Sequence, residues 1–365
     1  MDMKICGVGP YCPPYLLPAL EALSREYDAY FIFTKDGSKK GWNDFGAIQY
    51  EVCLSRLALV SRILTSDYDV LFPLFPTYNS LIEFLVCKTR RKKLILSTEE
   101  WHQPRTSVRR LVTPILKFVV RNCDAVVVSG SACKAHMVEY GARSGKIFVS
   151  PNASWVEVPL RATLQSSRIV SGKNFKILYL GRLVRLKGGD YLIRAFFRLE
   201  KERDDVELLI VGDGDFRGDL ERLAEDLGVK NIAFMGACDV ADRWYYYSEC
   251  SVFVLPSVYC PDHCEAWGLT LNEAMQFGKP VISTDAAGAA FDLIRHGVNG
   301  FVVKNADVES LYQALKRILD DPVLARRMGA RSKKIVHEGF TYERMTDGVK
   351  QAIAFVQGPE EKDRR

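Results

Sequence analysis

Long apolar runs are missing from this chain of 365 residues. No stretch of about 18 apolar residues occurs, so no membrane-spanning helix is expected. No basic segment followed by a long apolar stretch opens the chain, so no signal peptide is expected. Internal repeats are absent, and low-complexity sequence is confined to the charged end, Glu360–Arg365. The ten cysteines lack paired spacing, and many sit inside apolar strands (Cys6, Cys53, Cys87, Cys123, Cys250). That pattern suits reduced core thiols of a cytosolic protein better than a disulfide framework. The one local cluster, Cys260-Pro261-Asp262-His263-Cys264, offers too few ligands for a tetrahedral zinc site, so no metal is expected. A Gly-x-Gly-x-x-Gly fingerprint with a ribose-binding acid some 20 residues on is also missing, which excludes a nicotinamide dehydrogenase. The basic clusters lack interleaved aromatics, which argues against nucleic acid.

What is present is an ordinary globular composition, 48% hydrophobic and 26% charged, in a length that suits two domains. The net charge of +5 is unevenly divided. Residues 1–155 hold 20 Lys and Arg against 14 Asp and Glu, or +6; residues 156–365 hold 30 against 31, or −1. Clusters at 88–93 and 105–110 leave two readings of the basic half: a solvated charged face, the commoner case, or contact with an anionic membrane.

Apolar runs alternate with helical patterns along the whole chain. Strands are expected at 4–8, 29–34, 70–74, 94–98, 125–129 and 147–149, then at 175–180, 206–211, 232–235, 252–255, 281–284 and 301–303. Helices fall between them, including 54–65, 79–88, 112–121, 189–200 and 269–277. Alternating βα units predict parallel sheets with helices on both faces. Weak periodicity after Asn152 and the turn-rich Ser171-Gly172-Lys173-Asn174 predict a boundary there. The expected organisation is an N-terminal domain at 1–155, a linker at 156–173, a second domain at 174–338 and a tail helix at 339–358.

The richest stretch runs from Cys264 to Pro280. Glu265 and Glu273 lie eight positions apart, too far for one close carboxylate pair: a fully helical path would separate them by roughly 12 Å. Gly268 precedes an apolar-periodic run (Leu269, Leu271, Ala274, Met275, Phe277) stopped by Gly278 and Pro280. The carboxylates suit the two ends of an elongated polar ligand, with free helix-start N–H groups of Gly268, Leu269 and Thr270 for an anion between them. A nucleoside diphosphate-sugar has that layout. Upstream, Gly181-Arg182-Leu183-Val184-Arg185-Leu186-Lys187-Gly188-Gly189 leaves a strand and sets two cations, Arg182 and Lys187, at a sheet's carboxyl edge.

At these residues the chain resembles the retaining family four of the GT-B glycosyltransferases. The likeness lies in Glu265-Ala266-Trp267-Gly268 followed by Glu273-Ala274-Met275, and in Gly-Arg then Lys-Gly at 181–188. It departs at Ala266, often Gly; Trp267, more often Phe; and Asn272, usually apolar. The resemblance implies an α/β GT-B fold, two Rossmann-like domains with parallel sheets facing a central cleft. It implies transfer of a hexose from a nucleotide-sugar, UDP- or GDP-linked, to a hydroxyl of a glycan or lipid-linked acceptor, retaining configuration, without a metal or other cofactor. It implies that Arg182 and Lys187 bind the diphosphate, Glu265 the sugar, and Glu273 the ribose. The indole of Trp267 and the neighbouring Ala266 would shape the sugar pocket. Gly212 would approach the donor closely, although a simple strand-to-helix turn explains it equally; backbone atoms near Cys238 would touch the base. Gly9, after the first strand, and His102, after the strand 94–98, would complete the site. A cytoplasmic place at the inner membrane face is the associated expectation. A nucleotide-sugar epimerase of the same fold and a silent partner subunit are the alternatives.

Overall fold

The computed structural model describes residues 3–34, 45–75, 79–103, 106–159, 175–261 and 263–358. Most of the expected linker, together with Arg105, Asp262 and the charged end, lies outside the described residues. The chain divides into two units, residues 1–153 with 341–365, and residues 154–340.

The first unit is built on a seven-stranded parallel sheet in the order β3-β2-β1-β4-β5-β6-β7. Its strands are β1 (Lys4–Gly9), β2 (Asp28–Phe33), β3 (Gln49–Val52), β4 (Val70–Pro73), β5 (Lys93–Thr98), β6 (Ala125–Val128) and β7 (Ile147–Val149). The crossover helices are α1 (Leu17–Glu26), α2 (Arg56–Thr65), α3 (Ser80–Thr89), α4 (Ser107–Asn122) and α5 (Ser131–Glu139). Side chains of α2 to α5 bury one face of the sheet, among them Leu59, Phe84, Leu116 and Met137.

The second unit carries a six-stranded parallel sheet, β10-β9-β8-β11-β12-β13. Here β8 is Phe175–Leu180, β9 Val206–Val211, β10 Ile232–Gly236, β11 Val252–Leu255, β12 Val281–Thr284 and β13 Gly300–Val303. Its helices are α6 (Gly189–Glu200), α7 (Arg217–Leu227), α8 (Arg243–Glu249), α9 (Leu269–Gln276), α10 (Ala290–Leu293), α11 (Val308–Leu319) and α12 (Pro322–Gly339). The last helix, α13 (Tyr342–Gln357), belongs to the first unit. With α1 it covers the sheet's other face, burying Val349, Ala352 and Ile353.

Two features differ from the sequence reading. Strand β3 was not expected, because its Gln-Tyr-Glu-Val sequence is polar and largely exposed. Among the described residues it is an edge strand paired only with β2, steadied by Tyr50 stacked 4.1 Å from Phe45 and by a bidentate Arg62–Glu51 bond. Helix α4 starts at Ser107 rather than Val112, capped by Thr106, whose hydroxyl accepts from the Arg109 N–H at 3.1 Å.

In each sheet the chain order reverses beside the first strand, at β1/β4 and at β8/β11. Loops leaving the carboxyl ends of such neighbouring strands form the ligand crevice of open α/β sheets. In the second unit those loops carry Lys187 and Glu265.

Candidate functional site

Beyond β8 a tight helical turn, Arg185–Lys187, ends at Gly188 with φ 64°. A Cβ there would lie 2.0 Å from the Pro256 carbonyl oxygen, so only glycine lets this loop press on the one after β11. The Val258 N–H donates to the Leu186 carbonyl at 2.8 Å and pins the two together. Lys187 is thereby held against Glu265: its Nζ forms an ion pair with Oε2, and both side chains are largely shielded from solvent. Ser257 Oγ donates to the same oxygen at 3.4 Å. The backbone of Glu265 is fixed from the far side, accepting from Gly288 N–H at 3.1 Å. Arg182 is exposed, and its carbonyl accepts from the Tyr179 hydroxyl at 2.7 Å.

Helix α9 begins after Gly268, whose φ is 107° and whose missing Cβ would lie 2.6 Å from Leu255 Cδ2. The left-handed turn lets the helix start directly over the β11 strand end, with its first N–H groups free of intrahelical partners. Leu269 and Thr270 make its first turn, and Thr270 Oγ1 is buried without a hydrogen-bond partner among the described residues.

Glu273 is only 3% exposed. The Tyr247 hydroxyl donates to Oε2 at 2.7 Å, Ser154 Oγ to Oε1 at 2.9 Å, and Arg243 Nη1 lies 3.2 Å from Oε1. Burial, then the adjacent carboxylate, push the Tyr247 phenol well above its ordinary value. The carboxylate expected to face a ribose is therefore engaged by protein donors. Sequence reasoning missed Arg243 and Tyr247; the signal was the Arg-Trp-Tyr-Tyr-Tyr run that opens α8 soon after β10.

The glycine loop after β9 is more than a turn. A Cβ on Gly212 (φ 141°) would lie 1.9 Å from the Gly181 carbonyl, and one on Gly214 (φ 155°) 2.4 Å from the Leu183 carbonyl. Glycine here lets the β9 loop stack on the β8 loop, joined by the Leu183 N–H donating to Asp213 O at 2.9 Å. Gly212 N–H donates to Gly236 O at 2.7 Å, drawing in the strand end that precedes Cys238. Cys238 is half-buried, and its thiol is pushed up to about 11, chiefly by burial.

The Trp267 indole packs in the hydrophobic core, and its Nε1–H donates to Asn272 Oδ1 at 2.9 Å. Two of the three departures noted above, Trp267 and Asn272, are thus one device: the indole brings a donor that satisfies the buried amide. Ala266 beside it is half-buried.

Gly9 and His102 belong to the first unit. Gly9 ends β1, with Leu74 Cδ1 3.2 Å from where its Cβ would stand. His102 lies beyond β5, its ring 5.9 Å from that of Trp101. The Glu99 carboxylate accepts from Tyr15 at 2.7 Å and Asn152 at 2.9 Å. Burial would raise the Glu100 carboxyl, but the His136 ring, its Nε2 3.4 Å from Oε1, and the Arg109 charge hold it below its usual range. Among the described residues no group of three or more His, Cys, Asp or Glu is placed to hold a metal.

Residues 162–335 match the family model described as glycosyl transferases group 1. An uncharacterised glycosyltransferase of Methanocaldococcus jannaschii is 33% identical over 193 residues, 53% of this chain and 47% of that protein. A GDP-mannose-dependent phosphatidylinositol monomannoside mannosyltransferase of Corynebacterium glutamicum is 33% identical over 45% of this chain and 43% of its own length. The chain thus spans about half the length of these relatives. Among solved structures, Anabaena HepE in complex with UDP superposes with a TM-score of 0.78 at 20% identity, covering 96% of this chain and 99% of that one. A Rickettsia africae glycosyltransferase gives 0.79 at 18%, covering 98% and 100%. These likenesses show the GT-B fold, and the similarity to glycosyl transferases group 1 covers residues 162–335, a little under half of the chain.

Proposed function

We propose that this protein transfers a hexose from a nucleotide-sugar donor to a hydroxyl of a lipid-linked or growing-glycan acceptor, retaining anomeric configuration and using no divalent metal. The observation that carries the reading is the shielded Lys187–Glu265 pair at the β8/β11 switch point, beside the start of α9. A donor diphosphate takes the Lys187 ammonium from Glu265, and the freed carboxylate accepts the sugar hydroxyls. Arg182 adds a second cation, and the N–H groups at Gly268, Leu269 and Thr270 face the charge that grows on the leaving diphosphate. The anomeric carbon loses its bond to the phosphate oxygen and gains one to the acceptor oxygen. In the retaining reading the acceptor proton passes to the departing phosphate on the same face, so no side-chain base is required.

Glu273 binds the ribose once Ser154 or Arg243 yields an oxygen to it, while the Gly212 loop approaches the donor closely and the backbone near Cys238 meets the base. Gly9 and His102 serve the reaction from the first unit. The Corynebacterium relative is named for GDP-mannose and a phosphatidylinositol acceptor, and HepE has been crystallised with UDP-glucose. Both support a nucleotide-hexose donor, and the first supports a lipid-linked acceptor. On this reading the protein works in the cytoplasm, held peripherally at the inner face of an anionic membrane. No described helix is long and apolar enough to cross one.

The test is a panel of UDP- and GDP-hexoses with lipid-linked and oligosaccharide acceptors, the product anomer being read by NMR. An α-linked donor should give an α-linked product. A β-linked product contradicts retention, and an isomerised donor without transfer favours an epimerase.

A further inference from the structure

Helix α4 buries Thr113, Leu116, Val119 and Val120 against its sheet. Its outward face nevertheless carries Val108, Leu111, Ile115 and Phe118, all exposed, Leu111 to 78% and Phe118 to 50%. Their spacing places them in one row along the helix. Single exposed apolar side chains are ordinary, but a row of four is not. Helix α3 lies alongside and continues the patch with exposed Ile82 and Leu85; its Phe84 ring meets the Phe118 ring edge-on at 5.5 Å.

Beside the apolar row runs a cationic one, Arg110, Lys117 and Arg121, again at helical spacing. Helix α4 has no acidic residue, and the only one on α3, Glu83, is buried. Resting on the membrane contact proposed above, we infer that the outer face of α3 and α4 is the docking surface, seating its apolar row among the acyl chains of an anionic bilayer while the cations meet the headgroups. Charge complementarity selects this occupant. A second copy of the chain would set cation against cation across the joint, and an uncharged partner would leave the cationic row unused.

The test is flotation with vesicles of phosphatidylcholine alone and of phosphatidylcholine with phosphatidylglycerol, at low and high salt. Leu111→Ser and Leu111→Ser/Phe118→Ser are compared with wild type and with Val323→Ser, an exposed apolar control in the second unit. Melting temperature and the thermal shift with UDP are measured on each. The inference predicts that wild type and the control float with the anionic vesicles and are released by salt. It predicts that Leu111→Ser binds more weakly and the double variant at least about tenfold more weakly, with the UDP shift unchanged. Wild type that ignores both vesicle types overturns the membrane reading itself. Equal binding by wild type and both variants overturns only the assignment of this face. Self-association lost in Leu111→Ser, with no vesicle binding by any form, assigns the face to a second copy instead.

Discussion

Lys187 and Glu265 neutralise one another at a strand end where neither is fully solvated. Replacing Glu265 by Ala leaves the ammonium without its partner and therefore more available to phosphate. Glu265→Ala is expected to bind free nucleoside diphosphate at least as tightly as wild type by calorimetry, while losing sugar transfer. Weaker diphosphate binding would place Glu265 elsewhere in the donor site. Glu273 should behave differently, because Tyr247, Ser154 and Arg243 all depend on it. Its loss leaves buried donors unpaired, so Glu273→Ala should lower the melting temperature as well as donor affinity. Glu83 offers a pH test. It is 2% exposed with no partner on Oε2 among the described residues, and burial raises its carboxyl from 4.5 to about 8. The folded state then holds a proton that the unfolded chain releases at lower pH. Stability therefore falls by about 1.4 kcal/mol per pH unit as pH rises between the two values, and levels off above the higher one. Glu83→Gln should gain in melting temperature over wild type from pH 5 to pH 8. Parallel curves would mean that Glu83 finds a partner when ionised.

At the scale of elements, glycines decide how closely parts approach. A Cβ on Gly348 of α13 would lie 2.2 Å from the Val149 carbonyl and 2.7 Å from Ser150 Cα, both backbone atoms that cannot turn aside. Gly348→Val is expected to push the helix off its sheet at a cost of about 1–3 kcal/mol or more, read as a lower melting temperature and faster proteolysis after residue 340. Unchanged protection would show that the helix tolerates a wider seat. The strands of the second unit were legible because parallel strands buried on both faces read as unbroken apolar runs, and β8, β9, β11 and β12 end where those runs end. Edge strand β3 was not legible, since one paired side and exposed polar residues leave no such run. Nor was the first turn of α4, because Val108 and Leu111 point outward and break the core-facing period.

Across the whole molecule, the groups assigned to the diphosphate, sugar, ribose and base fall in the second unit, whereas His102 belongs to the first. His102→Ala is therefore expected to keep nucleoside diphosphate affinity and lose turnover; a parallel loss of affinity would make it a donor ligand. The loops carrying Lys187, Gly268 and Gly212 could be read from the sequence because each combines a strand end with a glycine that only a tight turn explains. The partners of Glu273 and the Trp267–Asn272 bond could not, because they depend on how separate elements pack and on which side chains are buried together. In the proposed reaction, side-chain cations and a helix start take the place of a metal at the diphosphate. Charge-assisted hydrogen bonds are worth about 1.5–3 kcal/mol each, so losing one that strengthens as the diphosphate leaves should slow turnover roughly 10- to 1,000-fold. The most direct measurement is single-turnover donor consumption in EDTA by wild type and by folded Lys187→Ala. Wild type should keep full activity, and the variant should lose turnover by that factor. Wild type silenced by EDTA and restored by Mn²⁺, with Lys187→Ala near normal, would contradict it.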